Sequence, residues 1–99
     1  MRVQLLYFDG CPNWIVAEER LARVLRTLGR DDAAVEHLRV ETPEQAEELN
    51  FLGSPTIRID GTDPFATGGE SVGLACRVYG TPDGPSGSPT TAQLLAVLS

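Results

Sequence analysis

The first part of the sequence places a strand, a tight turn and a helix in immediate succession. Residues 3–8 are almost all apolar and β-prone, a pattern typical of a strand buried on both faces near the middle of a sheet. Asp9 and Gly10 predict a turn. Apolar side chains then recur at helical spacing over residues 15–28, and Gly29 suits the left-handed residue that ends a helix. A chain that begins this way is expected to build a sheet with a helix packed on it.

Cys11 lies between this predicted strand and this predicted helix, and Pro12 follows it. Proline is compatible with the first turn of a helix, where its missing N–H costs nothing. The amide groups and the positive dipole end of a helix stabilise a nearby thiolate. One interpretation of Cys11 is therefore a nucleophile with a lowered pKa, used in thiol–disulfide exchange or thiol capture. The other interpretation is a small, apolar-like residue packed at a turn.

The remaining elements follow from periodicity and capping residues. The sequence predicts strands over residues 33–40, 56–60 and 74–79 and helices that begin near Thr42 and Thr90, with a loop over 80–89. A strand–helix–strand succession implies a parallel first pair, and the last two strands, joined without a helix, are expected to be antiparallel. The predicted fold is therefore α/β of order β-α-β-α-β-β-α. It has a mixed four-stranded sheet with helices on both faces, in a single domain over residues 1–99.

Composition excludes several classes of partner. The net charge of −6 argues against nucleic acid or an anionic membrane surface, because both require a basic footprint. No apolar run approaches the roughly 20 residues needed to span a bilayer, and we expect a cytoplasmic protein. The chain has one His and two Cys without a C-x-x-C pair, so neither a structural metal site nor a cofactor is predicted. The oligomeric state is not encoded in any pattern we find.

Three features together resemble the thioredoxin-like fold family. The element order is that of the thioredoxin fold, and Cys-Pro-Asn-Trp over 11–14 lies where that family carries its C-x-x-C active site. Ser-Pro-Thr over 54–56 lies just before the third strand, where the family carries its cis-proline. The chain is also similar to small bacterial thioredoxin-like proteins, some of them named after alkylmercury lyase. That similarity rests on Gly-Leu-Ala-Cys-Arg-Val-Tyr over 73–79 and Asp-Pro-Phe over 63–65.

The second active-site cysteine of the family falls on Trp14 in this chain. The resemblance therefore implies a single-cysteine site in which Cys11 carries monothiol redox or thiol-binding activity. The resolving thiol would come from Cys76, from a small thiol or from a protein partner. Thiol–disulfide oxidoreductase-like activity is thus one expectation, and a non-catalytic binding or interaction module is the alternative. A third hypothesis is an organomercurial or metal-ion thiol site using both cysteines; alkylmercury chemistry also needs an acid, and only Asp9 is close in sequence.

The candidate site residues are the catalytic Cys11 and Cys76 and the binding residues Pro12, Trp14, Ser54, Pro55, Thr56 and Arg77. Cys76 alternates with apolar neighbours, which favours a buried core thiol. The alternative, a bond between Cys76 and Cys11, requires their Cα atoms to lie within roughly 7 Å. Arg77 is expected on the opposite strand face, where it contacts either a substrate anion or solvent and a packed helix. Trp14 is expected to pack against the groove beside Cys11, and the resemblance implies that a cis Pro55 shapes that groove.

Overall fold

A central strand organises the sheet in the computed structural model, which describes residues 1–30 and 33–99. This strand, β1 (Val3–Tyr7), pairs in parallel with β2 (Val35–Arg39) and antiparallel with β3 (Thr56–Ile59), so that the order is β2-β1-β3. The first four residues of β1 are all buried. The continuous apolar run thus has the position that its pattern predicts, and the parallel first pair is present.

The helices occupy both faces of this sheet. They are α1 (Asn13–Thr27), α2 (Pro43–Glu48) and α3 (Thr91–Leu98). One core joins α1 and α3 to the face of β1 that carries Val3 and Leu5. A second core joins the α2 region to Leu6 on the opposite face. The chain is therefore a mixed α/β protein with a small mixed sheet between helices.

Capping residues fix where the two shorter helices begin. Thr42 and Thr90 each accept a hydrogen bond from the backbone N–H of the Gln three positions later, at 3.1 Å in both cases. The Gln side chains bond back to the cap residues, which completes a capping box at each helix. Both boxes were readable in the sequence because this motif is local.

The expected four-stranded sheet is incorrect for the described part of the chain, where the sheet has three strands. Residues 74–79 do not form the fourth strand. Instead β4 (Tyr79–Thr81) pairs antiparallel with β5 (Gly84–Ser86) in a separate hairpin, which begins at the last residue of the predicted strand and continues into the segment expected to be a loop. The turn of this hairpin ends at Gly84, whose φ of 102° favours glycine. The proline and glycine residues of this segment therefore belong to a hairpin, whereas the sequence pattern predicted a long irregular loop.

The side-chain pattern of this segment is also reversed relative to the prediction. Val78 is 69% exposed, whereas Arg77 and Tyr79 are buried at 4% exposure each. Over residues 76–79 the alternation is present but the apolar positions face outward, because Arg77 has an internal ion partner and Tyr79 packs edge-on against Phe65. Leu74 is partly buried against the second core. No helix in the described ranges is long and apolar enough to cross a membrane.

Candidate functional site

The turn after β1 holds Cys11 in a fixed position. The backbone N–H of Cys11 donates to the carbonyl of Phe8 at 3.0 Å. A Cβ atom at Gly10 would lie 2.3 Å from the Phe8 ring, so any side chain at this position would have to displace that ring. The turn leads directly into α1, whose N-cap residue is Pro12. Cys11 is therefore fully buried at the N-terminal end of a 15-residue helix.

The N-terminus of α1 lacks the side-chain cap with which α2 and α3 begin. The cap residue Pro12 makes no side-chain capping hydrogen bond, and the first turn of α1 contains no acidic residue. The positive end of the helix dipole is thus not offset by a local carboxylate. If Cys11 is released as a thiolate, this end of α1 stabilises the negative charge.

Ser54 links the end of β1 to the beginning of β3. Its hydroxyl oxygen accepts a hydrogen bond from the N–H of Phe8 at 3.0 Å, and the Ser54–Pro55 peptide bond is cis. Thr56 is buried and donates its hydroxyl to the carbonyl of Gly53 at 2.6 Å. The carbonyl oxygen of Ser54 lies 3.7 Å from the sulfur of Cys11. The turn at 54–56 therefore forms one wall of the site around Cys11.

A segment from much later in the chain lies along Ser54. The N–H of Ser54 donates to the carbonyl of Ala75 at 2.8 Å, and the N–H of Arg77 donates to the carbonyl of Ser54 at 2.9 Å. These two bonds form an isolated parallel bridge between Ser54 and Cys76. They set Cys76 opposite Ser54 and next to Cys11.

Cys11 and Cys76 form a disulfide bond. Their Cα atoms are 5.6 Å apart across a sequence separation of 65, within the range that a disulfide requires. The interpretation of Cys76 as a buried core thiol is therefore wrong, because Cys76 is exposed and bonded. It rested on the alternation of Cys76 with apolar neighbours in a predicted strand; the segment forms a parallel bridge with Ser54 instead, which brings Cys76 within reach of Cys11.

Arg77 is buried and forms an ion pair inside the protein. Its guanidinium lies 2.6 Å from the carboxylate of Asp63, and the two side chains are only 2% and 10% exposed. The same guanidinium lies 4.6 Å from the centre of the Tyr79 ring, a cation–π arrangement. The expectation that Arg77 faces solvent is wrong, because the side chain is buried in a pair with Asp63 that anchors the segment carrying Cys76. Contact of Arg77 with a substrate anion stays a prediction.

Tyr79 continues this anchor. Its hydroxyl donates to the carbonyl of Pro55, so the buried phenol has a partner. Burial raises the pKa of Tyr79 above its ordinary value, and the tyrosine stays neutral. This hydrogen bond therefore holds the segment that follows Cys76 against the turn at Pro55.

Trp14 and Pro12 flank the site on the helix side. The Trp14 ring stacks on the ring of Tyr7, with centroids 4.4 Å apart and an angle of 30° between the planes, and it packs against the core shared by α1 and α3. Pro12 is exposed. Trp14 was expected to pack against the groove beside Cys11, but we find no such contact among the described residues. The ring of Trp14 stacks on Tyr7 instead.

An open groove of about 390 Å³ adjoins the exposed cysteine. Cys76 lines it together with apolar side chains from Leu52, Ala75 and Val78. The carboxylate of Glu70 lies on the same groove. The Thr67 hydroxyl and then the Thr67 N–H donate to this carboxylate and lower the pKa of Glu70 to about 2. The groove therefore offers an accessible sulfur, an apolar wall and a negative charge.

The described residues contain no group of three or more His, Cys, Asp or Glu side chains arranged to hold a metal ion. Asp9, the acid nearest to Cys11 in sequence, pairs on the surface with Arg39 at 2.6 Å. The two cysteines are thus the only soft ligands that this part of the structure brings together.

Comparison of the chain with protein-family models, with curated proteins and with solved structures found no match. The site is therefore interpreted from its own geometry. Sequence reasoning missed Asp63 and Glu70, and it assigned Tyr79 no certain role. The available signal was the unusual density of polar and turn-forming residues over 61–73, which indicated that this segment had to be anchored by specific polar contacts.

Proposed function

We propose that this protein is a thioredoxin-like thiol–disulfide exchange protein whose reactive pair is Cys11 and Cys76. The observation that carries the proposal is the disulfide between a cysteine buried at a helix N-terminus and an exposed cysteine beside an open groove. This pair replaces the single-cysteine mechanism that the motif at 11–14 implied. Trp14 still excludes exchange within that motif, and Cys76 supplies the second sulfur from elsewhere in the fold.

The architecture supports membership of the thioredoxin-like class. The strand–helix–strand–helix–strand order and the parallel β1–β2 pair agree with the predicted topology. The third strand, β3, pairs antiparallel with β1, an orientation that the sequence pattern did not predict. The cysteine-proline turn precedes α1, and the cis Ser54–Pro55 bond precedes β3, next to Cys11. The difference lies after β3, where the chain forms a bridge at Cys76 and a separate hairpin. We regard that difference as the feature that delivers the second cysteine.

The chemistry follows from the two environments. A disulfide exchanges when a thiolate reaches one sulfur and the other sulfur departs as a stabilised thiolate. Cys76 is exposed to solvent, whereas Cys11 lies at an α1 terminus without an acidic residue or side-chain cap. Access at one sulfur and charge stabilisation at the other are the two requirements of exchange. A purely structural disulfide needs neither.

The reduction potential tests this proposal. The protein is equilibrated in buffers of reduced and oxidised dithiothreitol and glutathione, quenched by acid and alkylated, and the dithiol fraction is measured by mass. We expect a potential between about −120 and −270 mV, the range of exchange-active pairs, and a value below about −300 mV would identify a structural disulfide. That outcome would refute the proposal and favour the alternative of a non-catalytic binding module.

A second candidate function is capture of a soft metal ion by the reduced pair. The observation that favours it is that the fold brings two cysteines together without a third protein ligand in the described ranges. Thiolates select ions such as Cu(I), which accept few ligands. Cleavage of a carbon–mercury bond is less well supported, because the nearest acid in sequence, Asp9, is paired with Arg39.

The metal hypothesis has its own measurement. The reduced protein is titrated anaerobically with Cu(I) in competition with a chelator of known affinity, and a Cys76→Ser variant serves as the matched control. Binding of one ion that is lost in the variant supports the hypothesis. Equal binding by both proteins would assign the metal to other groups.

A further inference from the structure

The two sulfurs of the disulfide are not equivalent, and their difference assigns their roles. Cys11 has 0% exposure. Its sulfur has the carbonyl oxygen of Ser54 at 3.7 Å on one side and Cys76 on the other. Cys76 is exposed and lines the groove of about 390 Å³. A thiolate attacks a disulfide in line with the S–S bond, so the reaction requires open space behind the sulfur that is attacked. Cys11 has no exposed surface for a partner to approach, whereas Cys76 is exposed beside the groove.

We propose that a partner's sulfur is exchanged at Cys76, within the groove beside Leu52 and Val78, and that Cys11 is the buried leaving and resolving thiol. This inference rests on the proposed exchange function and reverses the order that the motif implies, in which the cysteine at the helix start is attacked. The structure supports the reversal because the helix-start cysteine is the inaccessible one.

The step balances as follows. A partner thiolate forms a bond to the sulfur of Cys76, the bond between Cys76 and Cys11 breaks, and Cys11 leaves with the electron pair as a thiolate. The α1 terminus stabilises that charge. When the thiolate takes a proton from water, the Cys11 S–H can donate a hydrogen bond to the Ser54 carbonyl oxygen, which lies 3.7 Å from the sulfur. In the reverse direction the Cys76 thiolate bonds to one sulfur of a partner disulfide, whose S–S bond breaks, and the other partner sulfur leaves as a thiolate. The Cys11 thiolate then attacks the sulfur of Cys76, the mixed disulfide breaks, and the partner's remaining sulfur leaves as a thiolate.

The anchored segment supports this assignment. The residue before Cys76 and the residue after it are both hydrogen-bonded to Ser54. Gly53 permits this close approach, because a Cβ there would lie 3.1 Å from the Cβ of Arg77 and 3.2 Å from the carbonyl oxygen of Ala75. These contacts do not involve the sulfur atoms, so they remain when the disulfide opens. Cys11 and Cys76 therefore stay adjacent during the exchange, as a resolving pair requires.

The wild-type protein provides the first test. The oxidised, folded protein is exposed briefly to 2-mercaptoethanol, a neutral thiol, then quenched with acid, alkylated and digested with trypsin. Cleavage after arginine separates the two cysteines, with Cys11 in peptide 3–20 and Cys76 in peptide 59–77. At the earliest times we expect at least tenfold more mercaptoethanol adduct on Cys76 than on Cys11. An equal distribution, or an excess on Cys11, would overturn the inference.

The single-cysteine variants Cys11→Ser and Cys76→Ser form a matched pair for the second test. Each reacts with 2-hydroxyethyl disulfide, and each rate is divided by the rate of the same variant unfolded in urea, which corrects for intrinsic reactivity. We expect the folded-to-unfolded ratio for the thiol of Cys76 to be at least tenfold higher than that for Cys11. The opposite order overturns the inference and leaves the exchange function in place. If the folded wild type forms no adduct at either cysteine, the exchange function itself fails, and the inference with it.

Discussion

The buried ion pair between Arg77 and Asp63 is expected to be the largest single polar contribution to the position of Cys76. The two side chains are 2% and 10% exposed and 2.6 Å apart. An Arg77→Met substitution retains much of the apolar stem and removes the charge, which leaves the carboxylate of Asp63 partly buried without its cation. Loss of one partner of a buried pair costs about 3–5 kcal/mol. We expect the free energy of unfolding to fall by that amount.

The chain contains a matched control for this measurement. Arg39 lies at the same 2.6 Å from Asp9, but these two side chains are 54% and 52% exposed. An exposed ion pair contributes only about 0–1 kcal/mol. Arg39 also has Glu41 at 3.4 Å, and Arg77 also contacts the Tyr79 ring. The difference between Arg77→Met and Arg39→Met therefore reports the effect of burial together with the contact to Tyr79.

The assay is urea denaturation of the oxidised proteins, followed by circular dichroism and analysed as a two-state transition. The same variants are then tested for the rate at which dithiothreitol reduces the disulfide. Arg77→Met should be reduced faster than wild type, because the anchor beside Cys76 is weakened, and Arg39→Met should be unchanged. A loss of less than about 1 kcal/mol in Arg77→Met, the size of a surface pair, would refute the anchoring role. An unchanged reduction rate would refute its connection to the site.

Three further predictions follow from the same contacts. Gly53→Ala should destabilise the protein by about 1–3 kcal/mol more than Gly29→Ala in urea denaturation; both residues have positive φ, at 104° and 69°, but only Gly53 has backbone atoms near the added Cβ. An equal loss in both would exclude the steric contact. The carboxyl of Glu70, with a pKa of about 2 against 4.5, stabilises the folded state above pH 4.5, and that contribution is lost as the pH falls through 2. Glu70→Gln should therefore lose less stability than wild type between those pH values, and a carboxyl titration by NMR with a midpoint near 4.5 would contradict this. Cys76→Ser should lose about 4 kcal/mol of unfolding free energy, the chain-entropy value for the sequence separation of 65, and an oxidised wild type no more stable than this variant would contradict it.

Local sequence signals were sufficient to predict most of the helices and strands that surround the site. The apolar run of β1, the helical stripe of α1 and the capping boxes at Thr42 and Thr90 each lie within a few consecutive residues, and all of them have the predicted structure. The parallel β1–β2 pair also follows, because a helical crossover between neighbouring strands leaves little choice of direction. These features depend on backbone hydrogen bonds and periodic burial, which short stretches of sequence encode.

The segment around Cys76 could not be predicted in the same way. Its alternating pattern does not determine which set of side chains is buried. That choice depends on contact partners that are distant in the sequence. Asp63 makes burial of Arg77 favourable, and the carbonyl of Pro55 does the same for the hydroxyl of Tyr79. Once these two side chains point inward, the intervening residues must point outward. Val78 is therefore exposed.

The sequence by itself determined that a cysteine lies between a buried strand and a helix, and that Trp14 removes the second thiol of that motif. Only the tertiary structure decided which sulfur pairs with Cys11 and which of the two is accessible. The physical reason is that pairing depends on the register of a segment 65 residues away. That register is set by two backbone hydrogen bonds at Ser54 and by the buried charge of Arg77. None of these contacts is visible in the local sequence around either cysteine.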